Sequence, residues 1–142
     1  MSIAIEQAQI AAEKGEVPVG AVITYNNEII AKTHNQVERL NDPTAHAEIL
    51  AIKEASQILN NKTLAGCTLF VTLEPCSMCS GAIVLAKIDT LVFGASDIKT
   101  GASGSIYCIT HDERLNHQVN IIQGIRENEC SEILINFFKN KR

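Results

Sequence analysis

The sequence predicts a three-layer α/β fold, with helices on both faces of a five-stranded mixed sheet. Three observations lead there. Helical stretches alternate with apolar runs rich in β-branched residues. Two of the extended runs are joined by Asn26-Asn27, a hairpin signal. The chain of 142 residues shows no internal repeat, linker or low-complexity segment, so residues 1–142 are expected to form one domain.

Residues 3–14 place Ala4, Ala8, Ala11 and Ala12 at helical spacing, with Gly15 as the stop. Residues 17–23 form the first strand, with Pro18 at its entry, where a missing N–H does least harm. Glu28 to Thr33 is its hairpin partner, and His34 to Asn41 reads as a polar loop. Asp42-Pro43 is a helix start, Asp as N-cap and Pro at the first helical position, and the helix runs to about Leu59. It has two apolar stripes: Ile49, Ile52 and Leu59, then Leu50, Ala51, Ala55 and Ile58. Cys67–Leu73 is a buried strand that Glu74-Pro75 ends, because a residue before proline is biased away from helix. A helix opens at Cys76, and Thr90–Ala95 is the next strand. Residues 96–105, rich in Gly, Ser, Asp and Lys, form a functional loop, and 106–118 carry no clear signal. Val119–Ile122 is the last strand and Glu127 to Lys141 the last helix, with Cys130, Ile133, Leu134, Phe137 and Phe138 in one stripe.

Composition narrows the setting. The chain is 46% hydrophobic and 20% charged, the balance of a soluble globular protein. It has neither a transmembrane-length apolar run nor the basic flank and apolar core of a secretory signal. Five cysteines are an odd set that argues against a disulfide framework and for a reducing compartment, by default the cytoplasm. A net charge of −4 disfavours general nucleic-acid binding, so any RNA contact needs a local basic patch.

The chemistry concentrates in Thr44-Ala45-His46-Ala47-Glu48 and Thr72-Leu73-Glu74-Pro75-Cys76-Ser77-Met78-Cys79. His46, Cys76 and Cys79 are ligand types for zinc, and three protein ligands leave the fourth tetrahedral position open, as a catalytic site requires. Cys76 and Cys79, three apart on a helix, point the same way. Glu48 is a proton carrier two residues from the histidine. H-x-E with P-C-x-x-C is the pattern of zinc-dependent nucleobase deamination. Alone, C-x-x-C also fits a redox pair. A structural zinc would need a fourth ligand, Cys67, Cys108 or His34, and would leave Glu48 without a role. Cys67, Cys108 and Cys130 otherwise read as small core residues. His111 and His117 read as surface or hydrogen-bonded side chains.

These motifs resemble the cytidine deaminase-like superfamily. Within it, the chain resembles the bacterial tRNA-specific adenosine deaminases over almost its whole length. Pro18-Val19-Gly20-Ala21-Val22, Asn35, residues 42–49 and 72–82, the loop from Phe93 to Ala102, Gly104-Ser105, Asn116-His117 and Phe137-Phe138 carry the likeness. It implies conversion of adenosine to inosine at the anticodon wobble position, usually of an arginine tRNA, by a homodimer holding one zinc per subunit. The partner is the tRNA anticodon stem-loop. By the same resemblance, Asn35 hydrogen-bonds the flipped base, and Val19, Ala47 and Pro75 belong to its pocket. Asp97 and Lys99 contact the splayed anticodon nucleotides.

The closing Phe137-Phe138-Lys139-Asn140-Lys141-Arg142 offers aromatic faces and three cations to RNA, with Phe137, Phe138, Lys139 and Arg142 as contacts. One phenylalanine is expected in the core and the other against RNA. Two other functions compete: a deaminase of free bases or nucleosides, and a non-catalytic zinc-stabilised RNA-binding module.

Overall fold

A computed structural model describes residues 1–141. Helix α1 (Ser2–Glu13) is followed by strands β1 (Gly20–Tyr25) and β2 (Glu28–His34). A single turn, α2 (Val37–Leu40), precedes α3 (Ala47–Leu59). Then come β3 (Cys67–Leu73), α4 (Ser77–Leu85), β4 (Thr90–Ala95), a 3₁₀ turn (Ile109–His111), β5 (Asn120–Ile122) and α5 (Glu127–Asn140). The sheet order is β2-β1-β3-β4-β5, with β1 antiparallel to both neighbours and β3, β4 and β5 parallel. Helices α1 and α5 pack on one face and α3 on the other, with α4 beside α3. This is the expected three-layer mixed sheet.

The β1–β2 hairpin turns at Asn26 and Asn27, whose φ angles of 51° and 63° suit a two-residue turn that matches strand twist. A bulge follows: Ile23 pairs with Ala31 and Thr24 with Ile29, which leaves Ile30 as the extra residue. Strands β3 and β4 are the centre of the core, and Leu69, Val71, Leu91 and Phe93 are fully buried. Both flanking helices meet the sheet through alanines: Ala4, Ala8 and Ala11 on α1, Ala47, Ala51 and Ala55 on α3. Small side chains let the helices lie close. At Gly20 the approach is so tight that a Cβ would stand 1.9 Å from the Ala4 carbonyl oxygen.

Four expectations need correction. The helix does not begin at Asp42-Pro43. Asp42 Oδ1 accepts from the Thr44 N–H at 2.8 Å and its hydroxyl at 2.7 Å, so the carboxylate closes a local turn instead of a helix. The chain stays extended at His46 (φ −71°, ψ 151°), which is the N-cap of α3. The first strand starts at Gly20 rather than residue 17, because the Val19 N–H turns back on the Val17 carbonyl at 2.8 Å. Cys108 is exposed, not in the core, because its segment folds back on the preceding loop, bridging to Ser103 outside the named strands. Neither Phe137 nor Phe138 is a core residue: α5 fully buries only Cys130, leaving Phe137 half-buried and Phe138 exposed. Cys67 and Cys130 are buried as expected.

The close packing at Gly20 has a measurable consequence. Gly20→Ala should lower stability by about 2 kcal/mol or more, the scale of overpacking a tight interface. A shift of the urea midpoint to lower concentration with an unchanged slope checks it.

Candidate active site

One end of the sheet gathers every strand terminus that matters. The register pairs Gly20 with His34, Ala21 with Val71, and Leu73 with Ala95. The start of β1 therefore lies beside the ends of β2, β3 and β4, the side where open α/β sheets place their ligands. Asn35 follows β2, and its N–H bonds the Val19 carbonyl at 3.0 Å. Two threonines lock the arrangement. The Thr72 hydroxyl accepts from the Gly20 N–H at 3.1 Å, and the Thr33 hydroxyl donates to the Ala47 carbonyl at 2.7 Å.

Helices α3 and α4 both begin at this end, with His46 and Cys76 as N-caps in extended conformation. An N-cap side chain ordinarily bonds the free N–H groups of its own helix. Neither does so here. They turn toward each other instead. His46 Nδ1 lies 3.7 Å from Cys76 Sγ and 3.5 Å from Cys79 Sγ, and all three atoms fall within 4.8 Å of one another.

That triangle fits a tetrahedral metal. Zn–S bonds of about 2.3 Å and a Zn–N bond of about 2.0–2.1 Å imply an N···S edge of roughly 3.6 Å. The Cys79 hydrogen bond, opposed by burial and assisted by His46, holds Cys76 down to about 4. The same bond, together with burial, pushes Cys79 up. His46 is raised, chiefly by its hydrogen bond to Cys76. A divalent cation at the centre would let both thiols ionise together and would cancel their charge.

No fourth ligand joins the group among the described residues. Of the three residues considered for a structural site, Cys67 is buried in the main core, Cys108 is exposed, and His34 has Nδ1 bonded to the Asn35 carbonyl at 3.0 Å. The other two histidines are hydrogen-bonded as expected: His117 Nε2 lies 2.8 Å from the Ile88 carbonyl, and His111 Nδ1 3.2 Å from the Thr110 hydroxyl.

The triangle opens on a cavity of about 330 Å³, in the range of small-ligand sites. Val19, Asn35, His46, Ala47, Glu48 and Cys76 line it. Glu48, in the first turn of α3, is 4% exposed, and burial pushes its carboxyl up, against the pull of its own N–H, His46 and the Cys79 thiol. Asp97 and Thr100 extend the wall. Asp97 is held below the usual carboxylate range by hydrogen bonds from Thr100 and Lys99, despite partial burial.

The other proposed substrate contacts stand elsewhere. Pro75 is buried behind Cys76, its carbonyl accepting from Ala102 at 2.8 Å. Lys99 and Lys139 are exposed outside the cavity lining. Phe137 edges a separate groove with Ala12 and Ile133, and Phe138 meets it edge-on, ring centroids 5.3 Å apart. Arg142 lies outside the described residues. Lys141 reaches both the groove and the cavity, with Nζ 5.0 Å from the Phe137 ring centre.

Sequence reasoning missed Glu16. This acid is 1% exposed, lines the cavity, and accepts from the N–H groups of Glu38 and Arg39 at 3.0 and 2.8 Å. It thus caps α2 from 22 residues away, and no local spacing could have revealed it.

Known proteins are similar to this chain over its whole length. The profile of the MafB19-like deaminase family matches residues 1–142. A tRNA-specific adenosine deaminase of Aquifex aeolicus is 53% identical over 100% of this chain and 93% of its own length. One of Bacillus subtilis is 49% identical over 100% of this chain and 88% of its own. A solved structure from a study of A-to-I editing by tRNA:A34 deaminases at the wobble position superposes with a TM-score of 0.91. It is 42% identical and covers 94% of this chain and 97% of that one.

Elemental analysis after gel filtration tests the donor set. Cys76→Ala and Cys79→Ala should each lose the bound metal, whereas Cys67→Ala, altered far from the triangle, should retain it.

Proposed function

We propose, on the premise that this chain belongs to the family of tRNA-specific adenosine deaminases, that it converts adenosine to inosine at the wobble position of a tRNA anticodon. The observation that carries the reading is the His46–Cys76–Cys79 triangle beside Glu48, open to a cavity of about 330 Å³. Residues 1–142 act as one deaminase domain. An arginine tRNA is the substrate the resemblance favours.

The reaction breaks the bond from C6 of the purine to its amino nitrogen, forms a C6–O bond from water, and releases ammonia. His46, Cys76 and Cys79 are the residues that would hold zinc, one ion per subunit. Zinc, when bound, supplies a Lewis acid that lowers the pKa of water from about 16 towards 7. Glu48 relays two protons in turn: the first leaves the water and goes to the ring nitrogen beside the attacked carbon, and the second leaves the new C6 hydroxyl and goes to the departing amine, as C6=O forms and ammonia is released. Its burial shields each proton from bulk solvent while Glu48 carries it.

Asn35 holds the edge of the base. Its backbone is fixed to Val19, and no hydrogen bond of its side-chain amide is seen among the described residues, so the amide is available to substrate. Val19 and Ala47 flank the ring, while Pro75 sets the Cys76 backbone. Asp97 and Lys99 face the nucleotides on either side of the flipped base. Phe137, Phe138 and Lys139 meet the stem-loop farther out, where aromatic faces and cations suit single-stranded RNA, and Arg142, outside the described residues, adds a further cation by its sequence alone.

A homodimer fits the surface. Ile58 on α3 is 63% exposed and Leu85 on the adjacent α4 is 83% exposed, apolar side chains that a second copy would cover. Among the described residues no helix is long and apolar enough to cross a membrane. A tRNA substrate and five free cysteines support a cytoplasmic setting.

The test is inosine formation on an anticodon stem-loop with adenosine at the wobble position, run beside free adenine, cytosine and guanine. Conversion of the hairpin is expected. Conversion of a free base alone would favour a small-molecule deaminase. Glu48→Ala should keep bound zinc yet lose roughly 10²–10⁴ of the rate, the usual worth of a positioned acid–base group. A Glu48→Ala variant as active as wild type would sink the proton-transfer role.

A further inference from the structure

Glu74 follows the last residue of β3 and stands two positions before Cys76. It is 2% exposed, and no lysine or arginine pairs with it among the described residues. Burying a carboxylate that way is costly unless its lone pairs are filled. They are filled by one loop. Oε1 accepts from the Asp97 N–H at 3.0 Å and the Ser105 hydroxyl at 2.5 Å. Oε2 accepts from the N–H groups of Ser103 and Ser105, each at 3.0 Å.

Both ends of the 97–105 loop are thus tied to a single side chain. Between them the backbone arches down onto the carboxylate: a Cβ at Gly101 would meet Glu74 Cδ and Oε2 at 2.4 Å. Only glycine fits there. The adjacent Ala102 N–H bonds the Pro75 carbonyl at 2.8 Å, so loop and metal-facing turn share two consecutive anchors. An apolar residue would end β3 as well and avoid the burial cost. What the carboxylate adds is order in a Gly- and Ser-rich loop that would otherwise keep much of its conformational entropy. That order reaches the cavity through Asp97. Its N–H is held by Glu74, while its own carboxylate gathers the N–H groups of Lys99 and Thr100 at 3.0 and 3.1 Å.

We propose that Glu74 is a positioning residue for the substrate: it clamps the 97–105 loop to the turn that carries Cys76, so that anticodon binding and base capture share one rigid body. This rests on the reading of the loop as RNA-facing. Glu74 belongs to the cavity wall, but all four of its side-chain hydrogen bonds go to the loop, and it acts through that loop.

Glu74→Gln keeps the shape but sets an NH₂ group against N–H donors. Three readouts apply to it: zinc content, amide hydrogen exchange, and binding and single-turnover deamination of the wobble-adenosine hairpin. Exchange at residues 97–105 should speed up about tenfold or more while β3 and β4 stay protected. Hairpin Kd should weaken by about tenfold. The single-turnover rate at saturating enzyme should stay within about threefold of wild type. Zinc content should not change. Loss of zinc, a slowed saturated rate at unchanged Kd, or an undisturbed loop would each overturn the proposal. Should Glu74→Gln fail to fold, Ser105→Ala, which removes one donor, decides: faster loop exchange and weaker Kd support the clamp, and wild-type values of both overturn it. A wild-type protein that makes no inosine from the hairpin would refute the functional reading, while the exchange measurement still judges the clamp.

Discussion

The structure depends on two helices giving up their own caps. His46 and Cys76 occupy N-cap positions whose side chains ordinarily satisfy the first free N–H groups, a contribution of about 1 kcal/mol each. Both are turned outward, toward each other. The arrangement works only because α3 and α4 begin at the same end of the sheet, a few ångströms apart. The parallel register of β3 and β4, with Leu73 beside Ala95, sets where α4 can begin. The alanine stripe of α3 lets that helix settle near the sheet. Binding a divalent metal at the triangle would return far more free energy than the two caps forgo. The uncapped N–H groups also add positive potential where thiolates are needed.

Reading the sequence found this centre because its signal is chemical and compact: one histidine, one acid and two cysteines at fixed offsets. Strands β3 and β4 were legible to the residue, since continuous apolar runs bounded by turn signals leave little choice. The start of α3 was misread for a local reason. Asp-Pro-Thr is equally good as a helix N-terminus and as an Asp-centred turn, and the Thr44 hydroxyl decides for the turn. The stripe on α5 was real as periodicity. Yet periodicity says which residues share a face, not what covers that face, and past Cys130 the described chain covers it only in part. Residues 106–118 stayed opaque because a 3₁₀ turn and loop-to-loop bridges leave no repeat to detect.

Glu16 and Glu74 were hidden for a related reason. Each carboxylate is satisfied by N–H groups from a segment distant in the chain. A salt bridge or a metal site leaves a partner residue that a reader can look for. A carboxylate facing peptide groups leaves none, because every residue but proline offers the same donor.

Three buried acids therefore surround one cavity, and their partners sort them. Glu16 spends its oxygens on the first N–H groups of α2 and so fixes one wall. Glu74 spends four acceptor positions on the loop that forms another. With four donors on it, Glu74 has no lone pair left to take a proton from substrate water, while Glu16, with one N–H on each oxygen, is committed to holding α2. Glu48 differs. It too is buried and in the wall, but only its own N–H, His46 and the cysteine thiols act on it. Of the three, it alone is free of any distant backbone segment and stands beside the His46–Cys76–Cys79 triangle. The sequence pattern and the hydrogen-bond accounting reach Glu48 by independent routes, one from spacing and the other by elimination. The acids that hold the walls leave Glu48 as the one not tied to a distant backbone segment, which is what the proposed proton transfer asks of it.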